Sequence, residues 1–388
     1  MKLVLVGVGQ AGGKVMEAIV AYDRRAEVGF VEDAVAVNTA RADLLGLAAT
    51  PLDRRVLIGG ARLRGHGAGA DNELGATVAA EDLGEVMRAV EDVAIHEVDA
   101  VLVIAGLGGG TGSGAAPVIA RELRRRYAEP VYGLGILPSR TEGSIYALNA
   151  ARSFVTFVEQ VDGLLLFDND AWREGGESLH TGYERLNEEI ARRLGVLFSA
   201  GEVREGQAVG ESVVDASEII NTLGSEGVST VGYAATAVDR PKPRLFARKR
   251  PAPDVGDSTN RVLATVRRAA LGRLTLPCEL GGVERALLLV AGPSEYLDRR
   301  GIERARRWLE ERTGSMEIRG GDYPLDSNYV AAVVLLSGVT DVPRIEELKA
   351  VAVETQRRMR EIEAEASDGL RDLAWSGDGD EDDLEPLF

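Results

Sequence analysis

Between positions 106 and 114 the chain reads Gly-Leu-Gly-Gly-Gly-Thr-Gly-Ser-Gly. Every residue there except Leu107 is glycine or carries a small hydroxyl group. Holding a glycine in one conformation costs roughly 0.5–1 kcal/mol relative to alanine, so this density needs a reason. Flexibility is not that reason, because the segment joins an unbroken apolar run at 100–105 to a helix-patterned stretch at 111–126. The run has the pattern of a strand buried on both faces. A glycine-rich turn between such a strand and a helix lets backbone approach a ligand and leaves N–H groups free at the helix start. With Thr111 and Ser113 beside them, those groups suit a phosphate. The fold class that places such turns at strand ends is a doubly wound α/β sheet.

A second turn of the same kind stands at the start. An apolar run at 2–8 leads into Gly7-Val8-Gly9-Gln10-Ala11-Gly12-Gly13-Lys14 and a helix at 11–22. The turn matches GxGxxG. It is not a P-loop, because the glycine that motif needs six residues before Lys14 is Val8. Short strands at 34–37 and 56–58, a helix at 78–93, and strands at 131–137 and 163–167 around a helix at 144–158 complete six βα repeats. They predict a mostly parallel sheet with helices on both faces. A helix at 182–205 follows, with Leu186, Ile190, Leu194 and Leu197 on one face. At about 1.5 Å per residue it spans roughly 36 Å, enough to connect two domains.

The polar loop 206–210 is followed by a helix at 213–223, a strand at 230–238 and helices at 260–271 and 299–312. Strands at 285–291 and 329–336 and a helix at 344–365 complete a smaller α+β domain. The expected division is 1–181, a nucleotide-binding domain; 182–205, the connecting helix; 206–340, the second domain; 341–375, a C-terminal helix; and 376–388, an acidic tail. Prolines 241, 243, 251 and 253 and six basic residues between 240 and 250 mark 240–253 as a long exposed loop. The acids of 376–388 cannot bury a core, so a disordered tail is expected.

Composition excludes several functions. A net charge of −17 repels phosphate backbones, which disfavours nucleic-acid partners. The single cysteine, Cys278, rules out an intramolecular disulfide framework, and the scatter of His66, His96 and His180 argues against a histidine-rich metal centre. No apolar stretch approaches about 18 residues, so no transmembrane segment is expected. The chain opens on a strand pattern rather than a signal sequence, and the expected compartment is the cytoplasm. An excess of acids with lysine reduced to positions 2, 14, 242, 249 and 349 suits a protein that works in high salt, where self-repulsion is screened.

The segment Gly108-Gly109-Gly110-Thr111-Gly112-Ser113-Gly114 resembles the GGGTGSG signature of the tubulin/FtsZ superfamily of GTPases, and Gly9-Gln10-Ala11-Gly12 resembles that family's first phosphate loop. The resemblance runs from about residue 1 to 340 and is greatest to the archaeal tubulin-like CetZ group. It implies a cytoskeletal GTPase of tubulin/FtsZ-like fold, controlling cell shape, that polymerises head to tail into protofilaments and takes GTP or GDP with Mg²⁺. Gly13 and Lys14 extend the first loop. Asn38 and Thr39 follow the second strand, where the family approaches the nucleotide. Ala70-Asp71-Asn72 lies where it meets the γ-phosphate, with Asp71 the candidate for the hydrated Mg²⁺. No Pro precedes Glu73, a departure from the FtsZ form. Glu142 matches the ribose-binding acid, Asn169 the guanine-contacting Asn, and Tyr183 with Asn187 the tubulin spacing Tyr-x-x-x-Asn. That spacing puts both side chains on one helix face.

The resemblance also implies that Asp215 and Glu218, in Gly210-Glu211-Ser212-Val213-Val214-Asp215-Ala216-Ser217-Glu218, act on GTP held by the next subunit. An i, i+3 spacing on one helix face is expected for them. FtsZ keeps an asparagine where Val213 stands. The loop at 240–253 corresponds to one that makes lateral contacts in tubulin; a plain solvated insertion gives the same composition. No partner of the tail is indicated. Two alternatives stay open at this level: an NAD-dependent Rossmann oxidoreductase, which accounts for the first loop only, and a GTP-bound scaffold that does not hydrolyse.

Overall fold

The computed structural model describes residues 1–93, 95–174, 176, 179–200, 202, 213–225, 227–238 and 255–374. The loop expected at 206–210, the basic segment 240–253, the tail 376–388 and residues Gly210, Glu211 and Ser212 lie outside them.

The first half alternates strand and helix. It runs β1 (Leu3–Val8), α1 (Gly9–Ala26), β2 (Val31–Asn38), α2 (Arg41–Leu45), β3 (Arg55–Leu57), α3 (Gly60–Leu63), α4 (Asn72–Glu81) and α5 (Leu83–Glu91). Then come β4 (Ala100–Gly106), α6 (Thr111–Arg126), β5 (Val131–Leu137), α7 (Ser144–Glu159), β6 (Gly163–Asp168) and α8 (Asn169–Trp172). Helix α9 (Leu179–Ser199) leads to α10 (Ala216–Leu223), β7 (Val228–Ala237), α11 (Val255–Leu271), β8 (Arg285–Gly292), α12 (Arg299–Thr313), β9 (Glu317–Pro324), β10 (Tyr329–Val339) and α13 (Pro343–Ala374).

The described strands form one sheet in the order β3-β2-β1-β4-β5-β6-β7-β10-β8-β9. It is parallel from β3 to β7; β10 runs antiparallel to both β7 and β8, and β8 and β9 are parallel. Both faces are buried, which is why the strands read as unbroken apolar runs. Val4, Val6 and Val8 pack on the face covered by α4 to α7, while Leu3 and Leu5 pack on the face covered by α1 and α9. Joining of β6 to β7 takes only two register pairs, Leu164–Val228 and Leu165–Ser229.

Four expectations change. The helix expected at 78–93 is two, α4 and α5, because Asp82 interrupts it and turns its carboxylate to the Gly59 N–H at 2.6 Å. The long helix begins three residues before position 182 and ends at Ser199 rather than 205, a length of 21 residues. Its stripe is as expected: Leu186, Ile190, Leu194 and Leu197 are all buried. The helix expected from Val213 begins at Ala216, because Asp215 caps it. Strand β9 was not expected at all; its sequence, Glu-Ile-Arg-Gly-Gly-Asp-Tyr-Pro, lacks an apolar run because it lies at the sheet edge.

Candidate functional site

The strand order reverses between β1 and β4, and the loops leaving their C-terminal ends bound the crevice where an open α/β sheet takes its ligand. Here those loops open α1, of 18 residues, and α6, of 16. Their helix N-termini present free N–H groups and partial positive charge to the same space.

Most of the glycines are there so that backbones can touch. A Cβ on Gly12 would stand 2.1 Å from the Ile104 carbonyl oxygen, and one on Gly114 2.1 Å from that of Asn72. On Gly110 it would meet the Asp71 backbone at 2.9 Å, and on Gly112 the Gly106 oxygen at 2.6 Å. Gly9 has φ +72° and lies against the Gly112 nitrogen, so the two loops are in direct contact. Gly109 differs: nothing lies within 4 Å of its Cβ position. It alone of this run faces open space, where a ligand would approach.

Side chains complete the cradle. The hydroxyls of buried Thr39 and Thr111 meet at 2.7 Å, tying the end of β2 to the start of α6. Asn38 is buried and donates Nδ2 to Asp43 at 3.1 Å, and exposed Gln10 reaches the other oxygen of Asp43 at 3.3 Å. Lys14 donates to the Gly46 carbonyl at 3.4 Å, and Ala11 beside it is exposed. Ala70 takes a left-handed conformation, φ +62°. Asp71 is exposed and caps α4, its Oδ1 accepting from the Leu74 N–H at 2.9 Å; Asn72 opens that helix. Ser113 donates its hydroxyl to the Gly109 and Gly110 carbonyls.

Three residues that hold this arrangement carried no signal in the sequence. Asn149, buried on α7, donates Nδ2 to the Ala70 carbonyl at 2.7 Å and to that of Gly108 at 3.0 Å. It thereby fixes both the Asp71 loop and the glycine loop. Ser153 donates to the Ser113 carbonyl at 2.8 Å. That carbonyl lacks its usual helical donor because residue 117 is proline, which has no N–H. Asp43 is the third, holding Gln10 and Asn38 together.

Beside the cradle lies a cleft of about 220 Å³, lined by Ser139, Thr141, Glu142, Asn169, Arg173 and Tyr183 among others. Gly108 connects the two, with Pro138 3.1 Å from its Cβ position. Ser139 and Glu142 form a capping box: the Ser139 N–H donates to Glu142 Oε1 at 2.8 Å, which aims that carboxylate. The Tyr183 hydroxyl donates to the same oxygen at 3.3 Å. Burial and the Glu142 charge push the Tyr183 phenol above its ordinary value. Asn187 stands one turn further along α9, half-buried, and is not among the residues lining the cleft.

Asp215 and Glu218 are elsewhere. Helix α10 packs at the opposite end of the strands: the Tyr132 hydroxyl, near the start of β5, donates to the Ile220 carbonyl at 3.4 Å. A Cβ on Gly163, the first residue of β6, would lie 2.3 Å from the Leu223 oxygen. Of the two acids only Glu218 lies within the helix. Asp215 is the N-cap, its Oδ1 accepting from the Glu218 N–H at 3.0 Å and from the Ser217 hydroxyl at 2.6 Å, which holds its carboxyl below the usual range. Glu218 Oε2 is buried without a hydrogen-bond partner, and burial followed by the Asp215 charge pushes its carboxyl up.

Among the described residues, no group of three or more His, Cys, Asp or Glu could hold a metal, and no helix is long and apolar enough to cross a membrane. Cys278 is half-buried against the main core, and burial pushes its thiol up to about 11.

Comparison with known proteins agrees with this geometry. Residues 2–176 match the Tubulin/FtsZ family, GTPase domain, and residues 176–354 match the tubulin-like CetZ C-terminal domain. Tubulin-like protein CetZ3 of Haloferax volcanii is 67% identical over 392 residues, covering 100% of both chains. A structure of CetZ1 from Haloferax volcanii, a GDP-bound monomer, superimposes with a TM-score of 0.83 at 59% identity, covering 92% of this chain and 100% of that one. The GTPγS-bound protofilament of CetZ2 from the same organism gives a TM-score of 0.84 at 46% identity, covering 93% and 100%. The strand order of the first six strands is also that of dinucleotide-binding folds, but these matches leave the NAD-dependent oxidoreductase alternative without support. By its two phosphate-type loops, its sheet topology and its likeness along the whole length, the chain belongs to the tubulin-like CetZ family.

Proposed function

We propose that this chain binds GTP in the crevice above β1 and β4, polymerises head to tail, and hydrolyses GTP where one subunit meets the next. The relatives bound to GDP and to GTPγS support the choice of nucleotide. The backbone N–H groups of the loops at 9–14 and 108–113 would take the phosphates, aided by the Thr111 and Ser113 hydroxyls. Glu142 would accept from the ribose hydroxyls, Tyr183 would stack on the base, and Asn169 and Asn187 would read its edge. Those roles fit a cleft whose carboxylate is already aimed by a backbone N–H.

Mg²⁺, when bound, would neutralise charge on the β- and γ-phosphates. The donor set suits that ion, which is held chiefly by phosphate oxygens and water with one or two carboxylates. Asp71, exposed beside Gly110, is the carboxylate in place.

The observation that carries the composite site is the position of α10. Asp215 and Glu218 sit at the N-terminal ends of β5 and β6, while the loops sit at the C-terminal strand ends. Helix α9, of 21 residues, spans about 31 Å between the two levels. One subunit therefore cannot bring its own acids to its own γ-phosphate, whereas a stacked neighbour can. There Glu218 or Asp215 would accept from the water that attacks in line. A cytoplasmic filament that shapes the cell, with lateral contacts through 240–253, belongs to the same reading.

Phosphate release per subunit, measured over a range of protein concentrations, tests it. Turnover should rise above a threshold concentration. Mixing Glu218→Ala with Gly110→Arg should restore part of the activity that each lacks. A flat specific activity in a protein that stays monomeric with GTP would show that the site is complete in one chain. Filaments that hold GTP without releasing phosphate would instead mark a scaffold.

A further inference from the structure

We propose that Arg344, in the first turn of α13, is a positioning residue for the nucleoside, acting from beneath the cleft without touching what it holds. The inference rests on reading the cleft at Glu142, Asn169 and Tyr183 as the nucleoside site.

Strands β5 and β6 stay paired as far as Leu137 and Asp168. Immediately beyond that pair each strand leads into one wall of the cleft: Ser139, Thr141 and Glu142 on one side, Asn169 on the other. Backbone pairing therefore stops just where the spacing of the walls begins to matter. Arg344 takes over there. Its Nη2 donates to the Pro138 carbonyl at 2.7 Å and its Nη1 to Glu347 at 2.8 Å, while Nε lies 3.4 Å from Asp168 Oδ1. The Arg344 and Asp168 side chains are only 6% and 3% exposed, so the tie is dry.

The walls are joined a second time above it. Asp168 caps α8 by accepting from the Asp170 N–H at 3.1 Å. Asp170 then accepts from the Ser139 hydroxyl and the Arg140 N–H, each at 3.0 Å. Ser139 aims Glu142. A continuous path thus runs from Arg344 to the residues expected to read ribose and base.

The i, i+3 pair with Glu347 gives the helix only slight support. A cation in the first turn opposes the helix dipole, and burying a guanidinium costs desolvation. The planar fork can reach a carbonyl and two carboxylates at once, and a lysine ammonium cannot.

The test uses the full-length chain with Arg344→Lys, and with the double variant Arg344→Met/Asp168→Asn, which leaves no buried charge unpaired. Dissociation constants are measured for GTP, 2′-deoxy-GTP, ITP and inorganic tripolyphosphate. A positioning role predicts about a tenfold loss for GTP, a narrowed preference for GTP over 2′-deoxy-GTP and ITP, and tripolyphosphate binding within about twofold of wild type. If GTP and tripolyphosphate weaken together as the melting temperature falls, the role is only structural and the inference is wrong. Unchanged affinities in both variants also overturn it. A wild-type protein that binds tripolyphosphate as tightly as GTP would overturn the nucleoside-site reading itself, and the role of Arg344 with it.

Discussion

The Tyr183 hydroxyl and the Glu142 carboxylate touch across the mouth of the cleft, 3.3 Å apart. The aromatic ring and the expected ribose acceptor are thus fixed relative to each other. On the proposed reading, a ribose hydroxyl would compete with the phenol for that oxygen.

This separates two functions of one side chain. Tyr183→Phe keeps the ring and frees Glu142, so GTP affinity should stay the same or rise slightly. Tyr183→Ala removes the stacking surface, worth about 1–3 kcal/mol by analogy with other base–aromatic stacks, and should weaken GTP about tenfold or more. Titration calorimetry on the two variants distinguishes them, and equal losses would remove stacking as the role of the ring.

The glycines divide in the same way. Gly12→Ala forces a methyl group into the Ile104 carbonyl and should cost about 1–3 kcal/mol of stability, visible as a lower melting temperature. Gly109→Ala meets nothing in the protein, so the melting temperature should hold while GTP binding weakens. Gly109→Ala binding GTP as wild type would mean that ligand does not approach that face.

Asn149→Ala should act on the glycine loop and the Asp71 loop from behind. It leaves the Ala70 and Gly108 carbonyls without their shared donor, a loss of about 1–3 kcal/mol. Amide exchange in the glycine loop should accelerate before global unfolding does. Uniform exchange rates would show that the loop is held by other contacts.

Glu218 carries a pH signature. Its carboxyl is pushed up in the folded protein, so the native state binds the proton more tightly than the unfolded chain. Its ionisation therefore opposes folding: the stability this group contributes is fully present below the ordinary glutamate range and is lost as pH rises through the folded value. Glu218→Gln should remove that part of the pH dependence and raise the melting temperature at pH 7 slightly, on the order of 1 °C. The same variant should lose hydrolysis in filaments. A lower melting temperature at pH 7 would show that Glu218 is stabilised by its surroundings.

Much of the site could be read from the chain because its parts are local. Glycine turns at strand ends and the apolar stripe of α9 are patterns within a few residues, and the structure places them as expected. The missed residues are single polar side chains whose partners lie far away in sequence. Asn149 reaches 79 residues to Ala70, and Arg344 reaches 206 to Pro138. Nothing near Asn149 distinguishes it from a solvent-facing residue of an ordinary helix. One miss was avoidable: Asp215 and Glu218 at three residues' separation is the spacing of a helix cap, and the cap explains why α10 starts late. Strand β9 was hidden for the opposite reason, since an edge strand needs no apolar run.

The two-rung junction between β6 and β7 has a mechanical consequence. Neighbouring ladders on either side are much longer, six pairs between β5 and β6 and nine between β7 and β10. Between the half that carries the two glycine loops and the half that carries β8 to β10, the seam is closed instead by Thr275, which accepts from the Asp168 N–H at 2.8 Å and donates its N–H to the Val231 carbonyl at 3.0 Å. The waist of the subunit is thus splinted by a segment that belongs to neither strand. A load carried along the sheet would cross that waist through the splint rather than through strand pairing.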